Sequence, residues 1–187
     1  MPLLMLKDLP RYECLLKGAK RFPDLDPSAL EVYLHLLRTG DEVFRATDAF
    51  LSSRNISQGR FTVLMLLMNR HDDCGDRRTP AELAEKAGVA RATMTGLIDT
   101  LEKDGFVKRE PDSQDRRMMS VNLTPKGEAF LHSFLPEHFR QTAALMSGLN
   151  ETERRTLVQL LGKVLQGTMK VTTAANAKSQ NPAASVA

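Results

Sequence analysis

Cysteine and long apolar runs are scarce in this sequence, and each scarcity excludes a class of protein. The two cysteines, Cys14 and Cys74, lie far apart and form no disulfide framework, so we expect reduced thiols. No run approaches the roughly 18 apolar residues of a membrane span. Lys7 and Asp8 interrupt the apolar start too early for a signal peptide. We therefore expect no membrane partner and a cytoplasmic location.

Catalytic motifs are also missing. The sequence has no set of nucleophile, base and orienting residue, no paired-carboxylate site and no phosphate-binding loop. We therefore predict neither an enzyme nor a cofactor. His71 and Cys74 have the spacing of half a metal site, but no matching pair occurs elsewhere in the sequence. A polar loop is the preferred interpretation of this segment, and no metal is expected.

The charge balance indicates a partner only weakly. The chain of 187 residues, 42% of them hydrophobic, is long enough for one domain with appendages, and its net charge is +3. A basic protein suits a polyanionic partner, but acidic residues slightly outnumber basic ones between Thr79 and Thr124. If this region binds nucleic acid, the placement of the charges must provide the affinity.

The N-terminal part predicts an arm followed by helices. Prolines limit residues 1–24 to an arm with one short helix over residues 11–20. Asp26-Pro27 is typical of a helix start, and apolar residues at three- and four-residue spacing extend that helix to about Leu51. A second helix begins at Ser57. The apolar stripe of the first helix is long, so it requires a partner helix.

Two short helices around a glycine turn follow. Thr79-Pro80-Ala81-Glu82 combines a capping box with a proline in the first turn, and Gly88 ends this helix. The next helix spans residues 90–103, and Gly105 supplies the left-handed conformation that often follows a helix. This arrangement is typical of a helix-turn-helix.

The rest of the chain predicts a hairpin, two helices and a tail. The hairpin consists of a strand, a turn and a return strand over residues 106–110, 111–116 and 118–123. A capped helix starts at Thr124-Pro125 and is expected to kink at Pro136. The last helix begins at Asn150. From about residue 171 the chain is small and polar, which predicts a disordered tail.

The helix over residues 90–103 has one apolar face, with Met94 and Ile98 on it, and one face suited to approach a surface. The second face carries Ala92, Thr95, Gly96, Asp99 and Lys103, with Arg91 and Thr93 on its flanks, and its residues near the helix N-terminus are small. A glycine inside a helix costs roughly 1 kcal/mol relative to alanine, so Gly96 requires a reason. Close approach to a DNA groove is one reason, and packing against the rest of the domain is the other.

The hairpin carries charges that suit DNA. Arg116 and Arg117 at its far end are placed to enter the electronegative minor groove, and Asp115 can hold one of them in an extended pose. Lys108 and Arg109 at the base are better placed for phosphates, which bind without reading sequence.

These segments together carry a family resemblance. They are TPAELA (residues 79–84), GV (88–89), ARATMT (90–95), LEKDGFV (101–107), DRR (115–117) and VNLTPKG (121–127). In this order they resemble the MarR family of bacterial transcription regulators, over about Leu30 to Thr168. The Asp-x-Arg followed by a Val-x-Leu-Thr strand is the specific part, since a helix-turn-helix alone is generic.

The resemblance implies a mainly α fold with a small β-hairpin wing, in which the N- and C-terminal dimerisation helices of a homodimer intertwine. Each subunit would offer a winged helix-turn-helix to half of a palindromic DNA operator, and a ligand crevice would lie between the dimerisation helices and the DNA-binding lobe. The segments are an N-terminal arm (1–24), a dimerisation helix (25–56), the winged helix-turn-helix (57–124), C-terminal dimerisation helices (125–170) and the tail (171–187).

Candidate effector residues are less distinctive. Peroxide-sensing relatives pair an N-terminal cysteine with two tyrosines; Cys14 follows Tyr12, but the second helix has no tyrosine. Urate-responsive relatives use an N-terminal tryptophan, which this chain lacks. The remaining candidates are apolar residues with His35 and Arg45 as polar anchors, at a spacing that is also typical of an ordinary core: Tyr33, Leu37, Phe44, Phe61, Met65, Phe130 and Phe134.

The preferred function is that of a dimeric repressor that binds a palindromic operator and is released by a small aromatic or acidic effector. A constitutive DNA-binding or activating regulator without an effector is one alternative, and a cysteine-based redox-responsive regulator is another. Ligand-dependent release of DNA distinguishes the effector-responsive repressor from the regulator without an effector.

Overall fold

The chain is mainly helical. The structure, a computed structural model, describes residues 3–4, 8–68, 78–111 and 118–180, with side chains up to residue 173. Its elements are α1 (Tyr12–Arg21), α2 (Pro27–Ser53), α3 (Gln58–Met68), α4 (Pro80–Ala87), α5 (Arg91–Lys103), β1 (Val107–Pro111), β2 (Met119–Leu123), α6 (Pro125–Leu145) and α7 (Glu151–Gln180). The predicted helical fold with one small hairpin is confirmed. Among these residues no helix combines the length and apolar character that crossing a membrane requires.

Side-chain caps fix where several helices begin. The Asp26 carboxylate accepts the backbone N–H of Ala29 at 3.0 Å at the start of α2, and this bond is the largest cause of the lowered pKa of Asp26. Thr79 and Glu82 form the predicted capping box of α4. A second capping box begins α7 at Asn150. Because each cap satisfies backbone donors that a helix leaves free, the local sequence sets these boundaries.

The hydrophobic core lies in the helix-turn-helix region and the hairpin. Its fully buried side chains come from α3, α5 and both strands, and include Leu64, Met94, Ile98, Leu101, Val107 and Val121. Burial of each aliphatic side chain contributes about 1.5–3 kcal/mol, which holds the hairpin against the helices. Leu51 at the end of α2 and Leu131 in α6 extend the same core.

Phenylalanines join this core to α2 and α6. The ring centroids of Phe50 and Phe61 each lie 5.3 Å from that of Phe134. Phe130 links Phe134, at 5.4 Å, to Phe106 beyond α5, at 5.1 Å. Aromatic pairs at these separations contribute about 0.5–1.5 kcal/mol beyond the area that they bury. The first turns of α6 are therefore fixed to the residues that follow α5.

The N-terminal arm is attached to α2 by a buried carboxylate that sequence patterns did not reveal. Asp41 accepts the backbone N–H groups of Leu3 at 2.8 Å and Leu4 at 3.0 Å. The bond from Leu3 is the main reason why the pKa of Asp41 is lowered. A carboxyl group whose pKa is lower in the folded state than in the unfolded state stabilises the folded state at any pH above its unfolded-state pKa. This contribution is lost as the pH falls through the folded-state pKa. The arm should thus loosen only below about pH 4.

The chain divides into two compact units, Met1–Leu135 and Pro136–Ala187. The boundary falls within α6, which stays helical through Pro136, where the sequence predicts a kink. In the second unit, α7 leaves apolar side chains exposed: Leu157, Val158, Leu160, Leu161, Val164 and Leu165. An apolar stripe of this length on a single chain is unusual in water.

The last helix extends further than the sequence predicts. Residues 171–187 were expected to be disordered, but α7 continues to Gln180. Alanine, lysine and glutamine are good helix formers, and they are frequent between residues 174 and 180. Low hydrophobicity alone was therefore a poor indicator of disorder here.

Candidate nucleic-acid interface

The predicted reading face of α5 is accessible. Met94 and Ile98 are fully buried against the core. On the other side, all the residues that the sequence predicts for DNA contact are exposed: Arg91, Ala92, Thr93, Thr95 and Gly96. Gly88 turns the chain between α4 and α5 with φ of +64°, and the backbone N–H of Val89 donates to the Ala84 carbonyl at 3.0 Å. The turn orients α5 so that its apolar face packs on the core while the opposite face of its N-terminal half stays exposed.

Gly96 faces open space. A Cβ added at Gly96 would meet nothing within 4 Å. At Gly59 in α3, by contrast, a Cβ would lie 3.1 Å from the Leu97 side chain. Gly59 is thus a glycine that packs against α5, and within the described residues Gly96 packs against nothing. This geometry favours surface approach as the reason for Gly96.

The hairpin follows the C-terminal end of α5. Its antiparallel strands pair Val107 with Leu123 and Arg109 with Val121. Asp115, Arg116 and Arg117, predicted to occupy its tip, lie outside the described residues. Their contacts with DNA stay a prediction.

Arg109 forms ion pairs within the protein. Its guanidinium lies between two carboxylates of α5, with Nη2 2.5 Å from Asp99 Oδ1 and Nη1 donating to Glu102. Its backbone N–H also donates to Glu102 at 3.0 Å. Burial acts to lower the pKa of Arg109, but the hydrogen bonds and charges of both carboxylates raise it overall. In the DNA-free protein Arg109 therefore joins the hairpin to α5, and its predicted contact with a phosphate stays a prediction.

Lys108 lies on the opposite face of the strand, since successive side chains alternate. Its Nζ is 2.7 Å from Glu110 Oε1, and the side chain is about half exposed. The Lys108 hydrogen bond is the main reason why the pKa of Glu110 is lowered. Exposed ion pairs of this kind are weak, so Lys108 can exchange Glu110 for a phosphate at low cost.

The predicted effector residues lie in two different environments in the described chain, and their role in ligand binding stays a prediction. Phe61 and Phe134 are buried in the aromatic cluster, with Phe130 and Met65 packed on the core. Tyr33, His35, Phe44 and Arg45 are exposed on α2, and Leu37 is half-buried. The 27 residues of α2 span about 40 Å, which separates its first turns from the cluster. Apolar residues that form a core and apolar residues that line a pocket have the same helical spacing. The sequence alone therefore cannot distinguish the core residues in this set from pocket residues.

Of the possible redox and metal residues Cys14, His71 and Cys74, the structure describes Cys14. Cys14 is an exposed free cysteine. His71 and Cys74 lie outside the described residues. Across the ranges that the structure describes, no group of three or more His, Cys, Asp or Glu could hold a metal ion.

The chain is similar to known transcription regulators. A family model described as the MarR family matches residues 56–119, from the start of the helix-turn-helix region into β2. The HTH-type transcriptional repressor YetL of Bacillus subtilis (strain 168) is 35% identical over 161 residues, which cover 86% of this chain and 95% of YetL. The similarity therefore extends well beyond the helix-turn-helix.

Solved structures agree with this similarity. BpsR of Bordetella bronchiseptica, whose DNA binding is regulated by 6-hydroxynicotinic acid, is 27% identical with a TM-score of 0.58, over 70% of this chain and 90% of BpsR. Wild-type MarR of E. coli in its apo form is 28% identical with a TM-score of 0.56, over 73% of this chain and 96% of that one. The winged helix-turn-helix fold predicted from the sequence is confirmed.

Proposed function

This chain belongs to the MarR family of DNA-binding transcription regulators, and from that membership we propose that it is a repressor that binds a palindromic operator as a homodimer and releases it on binding a small aromatic or acidic effector. Its relatives are regulators and not enzymes. The name of YetL supports the repressor role, and the BpsR title supports an effector response.

The exposed face of α5 is the observation that carries the proposal. A capped helix-turn-helix presents a helix whose outward residues are short and whose central glycine faces open space. Short side chains let a helix approach base edges in the major groove closely. We assign Arg91, Thr93 and Thr95 to base or adjacent phosphate contacts, and Ala92 and Gly96 to close approach. In the wing, Arg116 and Arg117 would enter the minor groove with Asp115 orienting one of them, while Lys108 binds phosphate.

Two experiments test the proposal: which DNA fragments the protein selects, and whether a small acid releases the protein from them. Purified protein should select genomic fragments whose footprint shows two half-sites with two-fold symmetry, centred about one helical turn apart. Transcription from such a fragment in a purified system should fall when the protein is added and recover with a small aromatic acid. Activation, or repression that no small acid relieves, would support the constitutive or activating alternative. Footprints without two-fold symmetry contradict the dimeric repressor.

The homodimer is proposed to bury the apolar stripe of α7, because a two-fold partner can present the same stripe in return. Leu161→Asp should therefore break the dimer, since a buried unpaired carboxylate costs several kcal/mol. Gln159→Asp introduces the same charge on the other side of α7 and should leave the dimer intact. Sedimentation velocity measures both variants. A dimeric Leu161→Asp protein would place the interface elsewhere.

A further inference from the structure

The exposed face of α5 carries methyl groups where a base-reading helix often carries long polar side chains. Ala92, Thr95 and Gly96 are three and four residues apart, so they share one side of the helix, and all three are exposed. All of α5 is described, and in its first two turns Arg91 is the one long polar side chain. The bidentate hydrogen bonds that distinguish bases come mostly from Arg, Lys, Asn and Gln, so this face has few groups that can form them.

Asp99, the next residue along the same face, is ion-paired within the protein. Its Oδ1 lies 2.5 Å from Arg109 Nη2. An aspartate can accept a hydrogen bond from the amino group of cytosine, but here such a contact would compete with the ion pair. The methyl groups of Ala92 and Thr95 are therefore the groups on this face that remain available to discriminate between bases.

These exposed residues also weaken α5 as a helix. Threonine and glycine are both less favourable than alanine inside a helix, because threonine loses side-chain freedom and glycine loses backbone freedom. Thr93, Thr95 and Gly96 lie within four consecutive positions. A Cβ added at Gly96 would meet nothing within 4 Å, so packing among the described residues does not require the glycine. Exposed residues that lower helix stability without packing on the protein are better explained by contact with a partner.

Thymine offers the matching chemistry in the major groove, because its 5-methyl is the apolar group that base edges expose there. Thr95 presents its Cγ2 methyl and Ala92 its Cβ methyl on the exposed face. Residues three apart on a helix have Cβ atoms about 5–6 Å apart, and base pairs follow each other about every 3.4 Å. The two methyl groups can thus meet thymines one or two base pairs apart. Gly96 lets the helix backbone approach closely enough for such short side chains to reach them.

We propose that α5 recognises thymine in each half-site through apolar contacts, with Thr95 Cγ2 and Ala92 Cβ packed on thymine 5-methyl groups. The inference rests on the proposed operator binding, and it names the base that these two residues select. Removal of methyl groups from water favours the contact. Cytosine lacks the methyl group and would leave a gap at the same place, where the facing methyl loses its van der Waals contacts.

Exchange of thymine for uracil in the selected operator tests the contact, because deoxyuridine removes the 5-methyl group and keeps the base pair. Each thymine of the footprint is replaced in turn, at the equivalent position of both half-sites, and fluorescence anisotropy at fixed salt measures the affinity of the full-length protein. At one or two positions, binding should weaken about fourfold per half-site, the effect expected for one buried methyl group. Exchange at the other positions should have little effect.

Variants of Thr95 assign this sensitivity to the protein. Thr95→Ser removes the methyl group and keeps the hydroxyl, so it should bind the thymine operator about fourfold more weakly per half-site. At one position it should also lose the sensitivity to uracil, because the two changes remove the same contact. Thr95→Val keeps a methyl group at that place and removes the hydroxyl, so it should retain the sensitivity. Ala92→Gly should lose the sensitivity at the second position.

Thr100→Ser is the matched control, because it makes the same change in the same helix. Thr100 lies about 140° around the helix axis from Thr95, and its Oγ1 donates to the Gly96 carbonyl at 2.8 Å, a bond that serine can keep. Both the affinity and the sensitivity to uracil should stay at the wild-type level in this variant. Melting temperatures establish that every variant is folded.

The inference is overturned if no thymine in the footprint is sensitive to the exchange. It is also overturned if folded Thr95→Ser keeps the wild-type sensitivity at every position, since DNA shape would then explain the effect. In either case a footprint with two-fold symmetry leaves the proposed operator binding intact. A protein that selects no DNA fragment contradicts the operator binding and the thymine contact together.

Discussion

Gly127→Ala is expected to lower the melting temperature by several degrees, although it adds a single methyl group. Gly127 lies in the first turn of α6, and a Cβ there would be 2.1 Å from the carbonyl oxygen of Phe106. The contact is with backbone, so α6 or the turn after α5 must move to relieve it. Overpacking costs about 1–3 kcal/mol, and about 1 kcal/mol corresponds to roughly 2–4 °C for a chain of this size.

The displaced carbonyl would disturb other bonds as well. Phe106 O accepts the backbone N–H of Thr124 at 3.0 Å. Thr124 Oγ1 donates to the Gly105 carbonyl at 2.6 Å and accepts the Gly127 N–H at 3.1 Å. These bonds connect the end of α5 to the start of α6. Movement at Gly127 therefore weakens the connection between the end of α5 and the start of α6.

Gly96→Ala is the matched control, because it makes the same chemical change in a helix where a Cβ meets nothing within 4 Å. It should keep or raise the melting temperature, since alanine favours a helix by up to about 1 kcal/mol. Thermal melts followed by circular dichroism compare both variants with wild type. A Gly127→Ala protein that melts like wild type would contradict the close approach of α6 to Phe106.

Local signals in the sequence were sufficient to predict most element boundaries. The capping box at Thr79 and the glycines after α4 and α5 occur where expected, with φ of +64° at Gly88 and +75° at Gly105. Caps and left-handed turns depend on residues within a few positions of each other, so a short stretch of sequence contains the whole cause. The buried face of α5 was predictable for the same reason.

Contacts between distant residues were not predictable from these signals. Arg60 and Asp104 are 44 positions apart, and only the packing of α3 beside the end of α5 brings them together. The sequence neighbours of Arg109 suggest a phosphate contact, but they do not reveal its ion pair with Asp99 of α5. Charge patterns identify which residues are cationic. The partner of each cation depends on tertiary structure.

Gly96→Leu is expected to remove most specific DNA binding while leaving the protein as stable as wild type. Leucine has nearly the helix propensity of alanine, and the unbound protein has open space at Gly96. If α5 docks in the major groove, the leucine occupies the space between the helix and the base edges. Operator affinity should then fall by at least about tenfold, whereas binding to random DNA, which depends mainly on phosphates, should fall less.

Fluorescence anisotropy at fixed salt, on the operator and on a scrambled duplex, measures both affinities, and a thermal melt reports stability. Gly96→Ala should lose less operator affinity than Gly96→Leu, because its smaller side chain fills less of the gap between helix and groove. If Gly96 instead packs against protein, Gly96→Leu should lose about 1–3 kcal/mol of stability through overpacking. A destabilised Gly96→Leu protein that retains wild-type operator affinity would therefore show that this face of α5 does not read DNA.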